Sequence, residues 1–166
     1  MLVVSFFIFD TKDLMKNPQT KLGHRLTKLF NRKDSAFTLV SSGNEYDTFQ
    51  CEVSDGKIIN LICHDYPKLA YGILIDTKPA YPMSRTVTSE SLMRAINQAN
   101  LKSTSVITAM EMYDDKTVTL HFKTFVHLTK RMAIACLLDE ALELHLQEID
   151  VAISPHFKDI DKESVL

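Results

Sequence analysis

The chain has 166 residues, 45% of them hydrophobic and 24% charged, with a formal net charge of −2 and a pI near 6.3. Those values fit one globular domain large enough to bury a continuous core, and they argue against wholesale nucleic-acid binding. Cys51, Cys63 and Cys136 are odd in number and lack C-x-x-C spacing. A disulfide framework or zinc ribbon is therefore not expected, each thiol reads as free and buried, and a reducing cytoplasm suits them.

Charge is unevenly placed. Residues 11–33 carry seven basic side chains against Asp13 alone, and residues 134–166 carry eight acidic ones against Lys158 and Lys162. Two solvated helix faces that attract each other within the fold or across a dimer would explain this. The alternative is an anion-binding helix face made of Lys21, Arg25, Lys28 and Arg32.

In chain order, Leu2–Phe9 is an apolar run of eight residues within an N-terminal segment 1–12. It is far shorter than the roughly 20 residues a membrane-spanning helix needs, so no membrane role is expected. Nothing basic precedes it, and it reads as a buried strand or docking segment, with an atypical signal peptide as the alternative. Asn17-Pro18 then predicts a helix capped by Asn17, with Leu22, Leu26, Leu29 and Phe30 on one face. Gly23 should weaken that helix by about 1 kcal/mol relative to alanine.

Residues 36–41 and 46–53 read as strands, and Asp55-Gly56 predicts a two-residue hairpin turn. That turn would set Val53 opposite Ile58, Cys51 opposite Asn60 and Phe49 opposite Ile62. Ile58–Ile62 and Ile73–Ile75 are apolar on both sides, which predicts strands covered on both faces, with His64-Asp65-Tyr66-Pro67 as a separating loop. Pro79, Tyr81 and Pro82 form a stiff connection to a helix from Thr88 to Asn100, with Val87 and Leu92 as a hydrophobic staple.

Residues 104–113 and 117–127 predict a hairpin around Asp114-Asp115-Lys116. Val118, Leu120 and Phe122 alternate with polar neighbours in its second strand. A long helix follows from about Thr129 to Ser154, where Pro155 should stop it, leaving a frayed tail at 156–166. Leu138, Ala141, Leu142, His145, Leu146, Ile149 and Ile153 form its apolar stripe. The expected fold is a single α+β domain over 1–166, an antiparallel sheet with helices packed on one face, in the order (β)-α-β-β-β-β-α-β-β-α.

The run Ala95-Ile96-Asn97-Gln98-Ala99-Asn100 resembles the Ile-Asn-x-x-Asn helix ending of the YbjN-like family of bacterial proteins. A polar-capped hairpin and the helix through Leu138-Asp139-Glu140-Ala141-Leu142 follow it, and the likeness spans roughly residues 18–153. It implies the fold of type III secretion chaperones, which is non-enzymatic, often dimeric, and presents its sheet or helices to other chains.

No catalytic constellation stands out. His121 and His127, six positions apart in one strand, would sit roughly 20 Å from each other, too far to share a metal. His145 on the apolar stripe reads as a core histidine, and Asp139 with Glu143 as a wet helix face. No nucleophile elbow, zinc-protease, P-loop or dinucleotide motif occurs, so neither cofactor nor metal is expected.

Binding features are firmer. Leu137, Leu144 and Val151 recur every seven residues beside the main stripe and predict a homodimer seam. Met110, Met112 and Tyr113 on the first hairpin strand mark where an extended polypeptide could add to the sheet. The expected function is thus a cytoplasmic, non-enzymatic protein-binding module, chaperone-like or regulatory. Its partner is a polypeptide bound through a strand edge or helix face, with nucleic acid as the alternative.

Overall fold

A computed structural model describes residues 17–53, 56–66, 70–78, 89–114, 117–129 and 133–158. The elements are α1 (Lys21–Lys33), β1 (Thr38–Ser42), β2 (Tyr46–Glu52), β3 (Ile58–Tyr66), β4 (Ala70–Lys78), α2 (Ser89–Lys102), β5 (Ile107–Asp114), β6 (Thr117–Thr129) and α3 (Ile134–Glu148). A π turn (Ile149–Ile153) and a short α4 (Ser154–Lys158) complete them. The six strands form one antiparallel sheet in the order β1-β2-β3-β4-β6-β5. This is the expected α+β architecture. The apolar run 2–9, the Pro79–Pro82 connection, the Thr88 cap and the tail beyond 158 lie outside the described residues.

Strand alternation divides the sheet into two faces. The inner face carries Phe49, Leu61, Ile75 and Thr124 in one cross-strand row and Cys63, Ile73 and Val126 in the next. Leu22, Leu26 and Phe30 of α1 and Leu138 of α3 bury against it. Each such side chain contributes roughly 1.5–3 kcal/mol on leaving water. Phe30 also meets Phe49 edge-on at 5.3 Å and stacks on Phe37 at 5.2 Å. A second cluster joins Leu92, Ile96 and Ala99 of α2 to Leu120, Phe122, Ile149 and Ile153. The sheet therefore covers the apolar stripe of the last helix at Leu138, and α2 covers its continuation at Ile149 and Ile153.

Several local expectations are corrected. Thr20, not Asn17, caps α1, its Oγ1 accepting from Gly23 N–H at 2.8 Å. Asp47 of β2 accepts from Gln19 N, Thr20 N, Thr20 Oγ1 and Ser42 Oγ, and Asp65 of β3 accepts from Lys21 N and Leu22 N. Two sheet carboxylates thus satisfy the open N–H groups of α1 and complement its dipole. Burial pushes the Asp47 pKa up, but the donors from Ser42, Thr20 and Gln19 outweigh it and hold the carboxyl below its usual range. Gly23 is what lets Asp47 approach. A Cβ there would stand 2.8 Å from Asp47 Cγ and 2.9 Å from Pro18 Cβ, and nearer still to Asp47 Oδ2.

The β2–β3 register is one residue away from the expected one. Val53 N–H bonds to Lys57 O and Gly56 N–H to Val53 O, each at 2.9 Å, with Gly56 at φ 75°. The turn is longer by one residue, so Phe49 faces Leu61 and Cys51 faces Ile59. A slip of one exchanges the faces. Asn60 now lies opposite Gln50, whose Nε2 donates to Asn60 Oδ1 at 2.9 Å.

His64, Asp65 and Tyr66 belong to β3 rather than a loop, and alternation sends His64 and Asp65 to opposite faces. All described helices lie on the inner face; on the outer face Ile62 and Leu74 are half-buried, while Asn60, Asp76 and His121 are buried. The last helix does not stop at Ser154. Its ladder widens at Ile149–Ile153, where Ser154 N–H reaches back to Ile149 O, and α4 continues through Pro155. Cys51 and Cys63 are buried free thiols as expected, whereas Cys136 is exposed. Among the described residues no helix is long and apolar enough to cross a membrane.

Candidate functional site: a half-closed sheet edge

β5 is an outer strand of the described sheet, so every second residue turns its backbone N–H and C=O away from β6. The structure shows which ones. Thr108 N–H donates to Asn100 Oδ1 at 2.7 Å, and Asn100 Nδ2 donates to Thr108 O at 3.1 Å. The carboxamide imitates one residue of a neighbouring strand. Just before the strand, Ser103 Oγ accepts from Val106 N–H at 3.0 Å and lies 2.6 Å from Val106 O. By alternation Ile107, Ala109 and Glu111 bond to β6, whereas Met110 and Met112 direct their backbone groups outward. The end of α2 closes the first half of the edge, and among the described residues no strand pairs with the second half.

The closing residues are held from below by α3. Glu148 accepts from Ser103 Oγ, Thr104 N, Thr104 Oγ1, Ser105 N and Ser105 Oγ, fixing the turn between α2 and β5. Burial raises its pKa, but the hydrogen bonds from Ser105, Thr104 and Ser103 prevail and hold it down to about 2. His145, one helical turn earlier, is fully buried, with Thr77 Oγ1 2.8 Å from Nε2 and Thr124 Oγ1 2.8 Å from Nδ1. Thr124 gives its hydroxyl proton to Ser105 O, so it accepts from Nδ1–H and leaves Nε2 to accept from Thr77. Burial pushes the imidazole down to about 4 against the pull of Asp76 and Glu148. This is the satisfied core histidine expected on that stripe.

On the outer face beside the edge, His121 Nδ1 lies 3.0 Å from both oxygens of Asp76. Its Nε2 lies 3.0 Å from Glu111 Oε2 without hydrogen-bond alignment. His121 is only 5% exposed, so it offers no open base. Farther along the same face, Tyr46, His64, Tyr66, His127 and Phe125 form a row of rings with centroids 4.5–6.3 Å apart. Tyr66 and Phe125 close over Gly72, where a Cβ would meet Tyr66 Cε2 at 2.6 Å and Phe125 Cζ at 2.8 Å. Among the described residues no group of three histidine, cysteine or carboxylate side chains is placed to hold a metal ion.

The residues singled out from sequence fall as follows. Met110 turns inward and packs half-buried against the α2 cluster, so β5 presents backbone there rather than a methionine surface. The side chains of Met112 and Tyr113 lie outside the described residues. Leu144 and Val151 are 61% and 70% exposed, whereas Leu137 packs against the first core. The heptad therefore splits, two residues outward and one inward. Lys21, Lys28 and Arg32 are exposed along α1, and the Arg25 guanidinium sits 5.6 Å over the Tyr71 ring. Lys33 of α1 pairs with Asp139 of α3, so the basic and acidic helices do meet within the fold.

Asn100 was legible only as a helix ending, and Ser103 was not singled out. The usable signal was two short polar side chains three apart at the end of a helix, immediately ahead of a strand. Compared with protein-family models, curated proteins and solved structures, the chain matches none.

Proposed function

We propose that this chain is a non-enzymatic polypeptide-binding module, chaperone-like or regulatory, which takes an extended segment along the open half of β5. The observation that carries the reading is the division of that edge. Asn100 occupies the Thr108 backbone groups, and those of Met110 and Met112 point outward. An added strand would gain main-chain hydrogen bonds from these groups, and alternate side chains would select its sequence. The likeness of residues 95–100 to the YbjN-like helix ending supports a protein that presents its sheet to other chains. Exposed Leu144 and Val151 supply the helix face on which we place a second copy of the chain. Three free thiols suit a reducing cytoplasm.

Amide hydrogen exchange tests this. In the free protein Thr108 should exchange slowly, and Met110 and Met112 quickly. A polypeptide partner purified with the chain should slow both methionine amides. A partner that leaves them exchanging as before sinks the reading.

The second reading is an anionic ligand on α1, favoured by the exposed line of Lys21, Lys28 and Arg32. Its signature is binding to DNA or RNA that weakens steeply with salt, as released counterions demand.

A further inference from the structure

We infer that the segment received by β5 runs antiparallel to it and carries a lysine or arginine at the position facing Glu111. This rests on the strand-addition reading above. Glu111 bonds to β6 through its backbone, so across the outer edge it would form the pair without hydrogen bonds, the one in which opposed side chains approach most closely. Its carboxylate is half-exposed on the outer face, with His121 Nε2 3.0 Å from Oε2. Two residues along on the same face, Ala109 leaves room for a larger apolar group beside exposed Ile107. The segment therefore reads basic, any residue, apolar.

The same geometry excludes a second copy of β5 as the occupant. Two-fold pairing that uses Met110 and Met112 of both strands must set Glu111 against Glu111, and like charges directly opposite are destabilising. Sliding one way puts Met112 against Thr108, already taken by Asn100. Sliding the other way puts Met110 against Asp114, beyond the irregularity where Asp114 pairs with Thr117.

The test is a titration of the full-length, isotope-labelled protein with short synthetic peptides of alternating threonine and valine, identical except for lysine, alanine or glutamate at the centre. Shifts of the Met110 and Met112 amides report the edge. The lysine peptide should bind roughly five-fold more tightly than the glutamate one, a preference lost in Glu111→Gln and inverted in Glu111→Lys. Equal affinities with both amides shifting would overturn the charge inference and leave strand addition standing. If neither amide moves with any peptide, both fail. Concentration-dependent shifts of these amides in the free protein would restore the second copy and overturn the exclusion.

Discussion

Replacing Gly23 by alanine should destabilise the protein, although helix propensity alone says the opposite. In an exposed helix interior this change stabilises by about 1 kcal/mol. Here the new Cβ enters a gap between Asp47 Cγ at 2.8 Å and Pro18 Cβ at 2.9 Å, and neither neighbour is the loose end of a side chain. Asp47 is fully buried and accepts four donors, from Gln19 N, Thr20 N, Thr20 Oγ1 and Ser42 Oγ. Moving that carboxylate far enough to admit a methyl group breaks one or two of these bonds, each worth about 1.5–3 kcal/mol because the acceptor is charged. Subtracting the propensity gain leaves a loss of about 0.5–5 kcal/mol. For a chain of this size each kcal/mol lowers Tm by about 2–4 °C. Denaturant unfolding followed by circular dichroism measures it, with the slope checked for constancy. A variant as stable as the parent, or more so, would refute the close approach. The same substitution in an Asp47→Ala background should be neutral or stabilising, because the obstacle is then gone.

Three further outcomes are expected. His145 is held neutral in the fold down to about pH 4, against 6.5 for an ordinary histidine. The unfolded chain therefore binds the extra proton first as pH falls through that window, and stability should drop by about 2–3 kcal/mol between pH 6.5 and 4. An imidazole resonance for His145 that titrates near 6.5 in the folded protein would contradict this. Leu144→Asp should keep native circular dichroism, since the side chain is 61% exposed, and should give monomers by sedimentation. A wild-type mass of one chain at micromolar concentration removes the dimer, and unfolding of the variant places Leu144 inside. Glu148→Gln should lose about 1–2 kcal/mol after allowance for its partial exposure, chiefly above pH 4.5, where the parent carboxylate is charged in both states. Exchange at Thr108 should quicken with it as the turn at Ser103–Ser105 loosens; an unchanged Thr108 would detach the clamp from the edge.

Element order was legible because periodicity is local. Phe49 and Cys51 alternate within one strand, and Leu138, His145, Ile149 and Ile153 recur along one helix, whatever the rest of the chain does. The corrections arise where a distant partner decides. Thr20 outranks Asn17 as the cap because Asp47, 27 positions away, fixes the Thr20 backbone and hydroxyl. Asp55-Gly56 announced a turn truthfully, but its length depends on which carbonyl receives the Val53 N–H, and that one-residue difference moves Asn60 to the other face. Ile62 and Leu74 read as core residues but are only half-buried, because hydropathy registers the apolar side chain and not how much of it the fold covers.

The binding edge was half legible for a related reason. Met110 drew attention through its side chain, which is spent on the core, while the outward feature is its backbone, identical in every residue and silent in sequence. An open strand edge invites indiscriminate pairing, and proteins blunt such edges by short strands, irregularities and charges. β1 is five residues long with a register shift between Leu39 and Ser41, and β5 is closed at Val106 and Thr108. Among the described residues, the stretch centred on Glu111 is the part of this edge that no neighbouring strand covers. A carboxylate there repels its own copy across a two-fold axis yet attracts a basic side chain on a different strand. The residue that makes the gap safe is thus the one that would make it selective, and Glu111→Ala should remove both properties together: pairing between copies through the Met110 and Met112 amides should appear as preference for the lysine peptide disappears.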